Sequence, residues 1–122
     1  MAARCALPIA VTLVTLTSAS ARAEDSWWGA DKALHFGATA SIAGGGYALG
    51  ALAWDGYAPR IALGTGLGLG AGIGKEVLDA AGLGDPSWKD LTWDLIGTAV
   101  GVGISVSIDL AIRGPSPAAA HR

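Results

Sequence analysis

Three long segments of small and apolar residues, separated by short polar stretches, dominate the chain after its first thirty residues. They run over 31–54, 59–81 and 88–112. At a rise of about 1.5 Å per residue, a helix of this length spans roughly 35 Å, which is close to the thickness of a membrane. The pattern therefore predicts three membrane-spanning helices joined by the turns 55–60 and 82–87.

The middle segment also carries a period of two, because glycine occupies every second position from Gly64 to Gly74. A period of two is typical of a strand. Glycine weakens strands, however, and the segment is far longer than a usual strand. A helix is the favoured interpretation.

On a helix the alternating glycines form two stripes on nearly opposite sides. One stripe is Gly64, Gly68 and Gly72; the other is Gly66, Gly70 and Gly74. Each stripe repeats glycine at every fourth residue, a spacing that lets membrane helices pack closely. We therefore expect the middle helix to have a neighbour on each side. A phosphate-binding loop is excluded by Leu69 and Ile73, which stand where glycine is required, and by Glu76, which replaces a serine or threonine.

The first 23 residues have the features of a secretion signal. Arg4 precedes an apolar run over 6–16, and the small residues Ala21 and Ala23 mark a cleavage site. An uncleaved anchor is the alternative. The sequence thus predicts a signal peptide (1–23), a polar lead-in (24–30), an all-α, three-helix, up-down-up membrane bundle (31–113) and a disordered tail (114–122).

Composition agrees with a membrane protein. Of the 122 residues 52% are hydrophobic and 15% are charged, against a usual charged fraction of about 25%. The net charge of −2 argues against nucleic acid as a partner. The single cysteine, Cys5, precedes the apolar run of the signal, whereas a lipidated cysteine would follow it. No disulfide and no lipid attachment are therefore expected.

Short turns between three helices bring the start of the first, the end of the second and the start of the third to one end of the bundle. Most ionisable residues after the signal lie there, and we call them the polar cap. They are Asp31, Lys32, His35, Lys75, Glu76, Asp79, Asp85, Lys89, Asp90 and Asp94. His35, Glu76 and Asp94 lie about a turn inside their segments, where an ionisable group in a membrane usually faces the bundle interior and a partner.

Two interpretations fit the polar cap. In the first it is a structural network, with a Lys75–Asp79 ion pair and with Asp31 and Asp90 as helix caps. In the second it is a site. The candidate catalytic residues are then His35 as proton carrier and Glu76, Asp79 and Asp94 as carboxylates; the candidate binding residues are Asp31, Lys32, Lys75, Lys89 and Asp90. The bundle has one histidine, since His121 lies in the tail, so a zinc site is poorly supported and no metal or cofactor is assigned.

Tryptophans and arginines predict the orientation. Trp27, Trp28, Trp88 and Trp93 lie near the polar cap, where an interfacial aromatic belt would form, and Trp54 marks the other side. Arg60, Arg113 and Arg122 lie away from the cap, which fits a cytoplasmic side. With a cleaved signal, the polar cap of this inner-membrane protein would face the periplasm.

The motifs of the three segments resemble a known family. The stretches "DKALHFGATA" and "GAGIGKEVLDAAGLGDPSWKDLTWDLIGTAVG" are similar to the YfiM-type family, described as periplasmic lipoproteins. The matching residues are Asp31, Lys32, His35, Phe36, Gly72, Lys75, Glu76, Asp79, Ser87, Lys89, Asp90, Asp94 and Gly97. A looser similarity links the chain to VanZ-like membrane proteins. The resemblance implies a cell-envelope location and no particular activity.

The sequence therefore predicts a small integral membrane protein of the cell envelope whose polar cap is structural or binds a partner. The alternative is a membrane-embedded enzyme, or a protein that binds a lipid headgroup or cell-wall precursor, using His35 and the carboxylates. Expected partners are membrane lipids, with an envelope protein or a lipid-linked ligand as further candidates.

Overall fold

A computed structural model describes residues 25–115, which form three α-helices. These are α1 (Ala30–Gly50), α2 (Tyr57–Leu78) and α3 (Trp88–Arg113), with one π-helical turn (Asp79–Leu83) after α2. No strand occurs in this range, so the all-α prediction is confirmed. The first helix ends at Gly50 rather than at 54, because residues 51–53 form a turn. The signal 1–23 and most of the tail lie outside the described residues.

The residues at the helix ends explain where the helices begin and end. The N-cap residues of α1 and α3, however, are Gly29 and Ser87 and not Asp31 and Asp90, which the structural interpretation had named as caps. Ser87 is the N-cap of α3, and its side chain accepts a hydrogen bond from the Asp90 backbone N–H at 3.3 Å. Gly29 precedes α1 and provides no side-chain cap. Asp31 and Asp90 lie in the first turns of α1 and α3, where their negative charges interact favourably with the positive end of the helix dipole. After α2, Gly82 adopts a φ of 106°, which ends the helical path as predicted.

Close glycine contacts set how α1 meets α2. Gly46 lies against Gly64, and Gly50 lies against Arg60. Residue numbers rise along α1 as they fall along α2, so these two helices are antiparallel. The backbones approach closely because neither Gly46 nor Gly64 has a side chain to hold them apart.

The third helix packs against α1 in the parallel sense. Gly97 lies against the backbone of Phe36, and Gly101 lies one turn further along against Ala40. A side chain on either glycine would collide with backbone atoms of α1. The contact therefore depends on glycine at these two positions.

Only one of the two α2 stripes is used. The stripe Gly64, Gly68 and Gly72 is buried. Gly68 lies against both Ala43 of α1 and Thr98 of α3, and Gly72 lies against Asp94. The opposite stripe, Gly66, Gly70 and Gly74, has no atom of another helix nearby among the described residues. The prediction of a neighbour on each side was wrong, because α1 and α3 also contact each other and so approach α2 from a single side.

The distribution of polarity is inverted relative to a water-soluble domain. Buried polar and charged residues in the described range are Lys32, His35, Thr39, Arg60, Asp79, Asp90, Asp94 and Thr98. Buried apolar residues are Ala43, Tyr47 and Val102, whereas large apolar side chains such as Leu95, Ile104 and Ile112 are exposed. Of the described helices, α3 alone meets the length and apolar composition expected of a membrane span, with a mean hydropathy of 1.9 over an 18-residue stretch. This finding supports one of the three predicted spans.

A second ionic cluster joins the helices at the end remote from the polar cap. Asp109 of α3 accepts hydrogen bonds from Tyr47 Oη at 2.6 Å and from Arg60 Nη1 at 2.9 Å. Arg113, one turn along α3, donates to both Asp109 oxygens. One carboxylate therefore links all three helices.

Replacing Tyr47 by phenylalanine should lower the free energy of unfolding by roughly 1.5–3 kcal/mol, because it removes a hydrogen bond to a charged acceptor and leaves the packing unchanged. Denaturant titration in detergent, followed by circular dichroism, measures this. Tyr57→Phe is the control, since Tyr57 Oη donates to an uncharged acceptor, the backbone carbonyl of Gly114. Equal losses in the two variants would contradict the linking role of Asp109.

Candidate functional site

The polar cap contains a lysine enclosed by carboxylates. Lys32 is only 2% exposed. Its Nζ donates to Asp25 Oδ1 at 2.6 Å, to Asp31 Oδ2 at 2.8 Å and to Asp90 Oδ1 at 2.5 Å. All three ammonium protons are therefore used, and one buried cation joins the lead-in, α1 and α3.

Asp25 is a member of the cap that sequence reasoning missed. Besides Lys32, it accepts a hydrogen bond from Ser87 Oγ at 2.7 Å, while Lys89 Nζ donates to its backbone carbonyl at 2.5 Å. The hydrogen bonds from Lys32 and Ser87 lower the pKa of the Asp25 carboxyl below its usual value. Asp25 lies in irregular chain before α1, so no helical spacing signals its role.

The structure brings His35 together with two carboxylates of α3. Its Nδ1 lies 2.9 Å from Asp94 Oδ1, and its Nε2 lies 3.3 Å from Asp90 Oδ2. Asp90 and Asp94 are one helical turn apart, so both can reach one imidazole ring. Asp90 also binds Lys32 through its other oxygen, which connects the histidine to the lysine cluster.

Glu76, on the remaining helix α2, completes this group. Its Oε2 accepts a hydrogen bond from the Ser87 backbone N–H at 2.6 Å. One ligand atom each of His35, Glu76 and Asp94 lie within 4.8 Å of one another. Within residues 25–115, the buried Glu76 Oε1 and Asp94 Oδ2 have no hydrogen-bond partner. The two carboxylates that group with His35 thus each retain one oxygen without a partner among the described residues.

The remaining candidates lie around this group. Lys75 Nζ and Asp79 Oδ2 form an ion pair at 2.6 Å, as the structural interpretation expected. Asp79 is buried beside Gly84 at the π-helical turn, so the described contacts do not join it to His35. Lys89 contacts the lead-in through its bond to Asp25 and lies over the ring of Trp27.

A cavity of about 270 Å³ opens beside His35. Its lining is Leu34, His35, Ala38, Thr39, Ile42, Ala71, Gly72, Lys75 and Asp94. The apolar residues come from α1 and α2, and the charged residues lie at the polar-cap end. The cavity therefore has an apolar side that opens between two helices and a polar end with titratable groups.

Chemistry distinguishes this cavity from a larger one. A groove of about 390 Å³ lies between α2 and α3, and leucines and Ile73 form most of its lining. Its one hydroxyl, that of Thr92, already donates a hydrogen bond to the Trp88 carbonyl at 2.9 Å. A binding site usually combines an apolar wall with a few convergent polar groups. The cavity beside His35 has both.

Tryptophans surround the polar cap. Trp27 packs edge-on against Trp88 at a ring-centre distance of 4.7 Å, and Trp28 packs likewise against Trp93 at 5.4 Å. The indole N–H of Trp93 donates to the Trp27 carbonyl at 2.9 Å. These contacts hold the lead-in, and with it Asp25, against α3.

This arrangement is suited to binding a polar or cationic group at the end of an apolar cavity. Both nitrogens of His35 already face carboxylates, so proton transfer to a ligand would require one of these contacts to open. Comparisons of the chain with protein-family models, with curated proteins and with solved structures found no match.

Proposed function

We propose that the protein is a small integral membrane protein of the cell envelope that binds an amphipathic molecule from the membrane. The ligand's apolar chain would lie along α1 and α2, and its polar head would meet His35, Lys75 and Asp94. One observation carries this proposal: the inverted polarity, with charged side chains inside and large apolar side chains outside. Water would penalise that outer surface, whereas lipid would not.

The arrangement of the cavity supports the kind of ligand. Leu34, Ile42 and Ala71 give it an apolar wall that faces sideways out of the bundle. In a bilayer such an opening faces acyl chains. The polar end lies near the tryptophans, which prefer the interface between headgroups and hydrocarbon. An up-down-up bundle of three spans, with its cap at the periplasmic face, would place the polar end at headgroup depth. The resemblance to YfiM-type and VanZ-like proteins agrees with an envelope location.

The membrane part of the proposal is tested by fractionation. The mature chain should stay with membranes after washing at high salt and alkaline pH, and detergent should release it. Recovery of folded protein in aqueous buffer without detergent would refute the proposal, because the exposed leucines and isoleucines would then need no lipid.

The ligand part is tested by filling the cavity. Ala71→Phe should reduce the lipid that copurifies with the protein, measured by native mass spectrometry, by at least about fivefold, since a phenyl group occupies the space of an acyl chain. Ala62→Phe is the matched control, because Ala62 is an exposed alanine of α2 outside the cavity. Unchanged lipid in Ala71→Phe, or equal losses in both variants, would contradict a ligand in this cavity.

The contact between His35 and Asp94 favours a second candidate, a membrane-embedded enzyme in which His35 transfers a proton to the bound headgroup. Asp94 would orient the imidazole and stabilise its positive charge. Water would attack the headgroup ester, and the leaving oxygen would take the proton from His35. Incubating the protein with membrane lipids should then release a headgroup fragment, and His35→Gln should stop the release while retaining bound lipid. If the lipid is unmodified after prolonged incubation, the enzyme candidate is rejected and the proposal is restricted to lipid binding.

A further inference from the structure

The histidine and the two carboxylates that lie together in the polar cap come from three different helices. His35 lies on α1, Glu76 on α2 and Asp94 on α3, and one ligand atom of each fits within 4.8 Å of the others. An imidazole nitrogen with two carboxylate oxygens is a donor set of divalent first-row metals, and open zinc sites have three protein ligands. The bundle thus places three donors in reach of one ion.

Two buried carboxylate oxygens without partners in the described range favour the binding of a cation. Asp94 is 1% exposed, lines the cavity, and has no hydrogen bond to Oδ2 in the described range. Glu76 Oε1 has none either. A buried charged oxygen without a partner costs several kcal/mol, whereas a bound cation would satisfy both oxygens at once.

The neighbouring carboxylates provide a comparison. Asp25, Asp31 and Asp90 also bring three oxygens together, but Lys32 Nζ binds all three and supplies the positive charge. Lys75, which lines the cavity beside His35, is paired with Asp79. Among residues 25–115, therefore, a lysine neutralises one carboxylate cluster, and the described ion pairs include no lysine or arginine bound to Glu76 or Asp94.

Asp90 faces the second ring nitrogen of His35. Its Oδ2 lies 3.3 Å from His35 Nε2, which leaves Nδ1 on the side of Asp94. A carboxylate that accepts the second N–H of a histidine is the usual outer partner of a metal-binding imidazole. On binding, the proton between Nδ1 and Asp94 Oδ1 would leave to solvent as the ion takes the Nδ1 lone pair.

We propose that His35, Glu76 and Asp94 form a site for a divalent transition-metal ion of the Zn²⁺ type, with a further coordination position directed toward the cavity. This site goes beyond the lipid-binding function and does not require it. The ion would tie the three helices together near the polar cap and would offer its open position to an oxygen of a ligand.

The test uses the mature chain in detergent, without a histidine tag, and with Co²⁺ and Zn²⁺ as probes. We expect about one ion per chain by elemental analysis, a visible Co²⁺ spectrum, and its loss when Zn²⁺ is added. Glu76→Gln and Asp94→Asn should each weaken binding at least about tenfold, because each removes a charged ligand oxygen. Circular dichroism checks that the variants are folded.

Asp79→Asn is the matched control, since Asp79 is a buried carboxylate one turn from Glu76 and is paired with Lys75. Its affinity should stay within about twofold of that of the unsubstituted chain. The proposal is overturned if the unsubstituted chain binds no ion, or if Asp79→Asn weakens binding as much as Glu76→Gln does. If Asp94→Asn does not fold, Glu76→Gln decides, because a glutamine can still accept the hydrogen bond from Ser87. Lipid content measured on the same samples distinguishes failure of the metal site from failure of the lipid-binding proposal.

Discussion

Replacing Lys32 by methionine is expected to lower the free energy of unfolding by about 3–5 kcal/mol, one of the largest losses a single substitution can cause here. Methionine keeps the length of the side chain but removes the ammonium that binds Asp25, Asp31 and Asp90. Asp90 suffers most, because it is the most deeply buried of the three. Thermal or denaturant unfolding in detergent, followed by circular dichroism, measures the loss.

Two further variants separate the ion cluster from packing. In Lys32→Met/Asp90→Asn the buried charge is removed together with its partner, so the double variant should lose clearly less than the sum of the two single losses. Lys75→Met is the control, because Lys75 is part-exposed and binds a single carboxylate; it should cost no more than about 1 kcal/mol. A Lys32→Met loss no greater than that of Lys75→Met would contradict the role of Lys32 as the charge that holds the cap together.

Replacing Gly101 by alanine is expected to destabilise the bundle by about 1–3 kcal/mol or more through a steric clash. The added Cβ would lie within 3.0 Å of backbone atoms of Ala40, and a backbone cannot move aside as a flexible side chain can. Gly97→Ala should act in the same direction, since its Cβ would meet the backbone of Phe36. The same unfolding measurement applies.

The matched control for this prediction lies two residues along the same helix. Gly103 has no atom of another helix within 4 Å, so Gly103→Ala should be neutral or should stabilise α3 by roughly 0.5–1 kcal/mol through its better helix propensity. The steric explanation fails if Gly101→Ala and Gly103→Ala change stability by the same amount.

The helices themselves were predictable from sequence because their signals are local. Long apolar segments fix where the helices form, and the one proline within a described helix, Pro59, lies in the first turn of α2, where proline is tolerated. Gly82 marks the end of the helical path after α2. The grouping of His35, Glu76 and Asp94 was also predictable, because short connections leave few ways to arrange three helices. His35 lies 2.9 Å from Asp94, as that expectation required.

Other features of the site depend on contacts between distant parts of the chain. Asp25 joins the cap from irregular chain, and Tyr47, Arg60 and Asp109 meet at the far end although no motif connects them. Asp79 lies three residues after the site residue Glu76, a spacing that predicts the same side of a helix, but its carboxylate pairs with Lys75. The i, i+4 spacing predicts the Lys75–Asp79 pair, but no spacing in the sequence predicts that Asp25 and Asp90 meet at Lys32.

By itself, the sequence determined that the chain forms three helices and that its charged residues concentrate near one set of helix ends, because helix length, turns and glycine spacing are local properties. Only the tertiary structure decided that α2 uses a single glycine stripe, that Lys32 is surrounded by three carboxylates, and that oxygens of Glu76 and Asp94 are left without partners beside His35. The reason is physical: a repeat on one helix makes several packing sides available, and only the simultaneous contacts of all three helices select one of them.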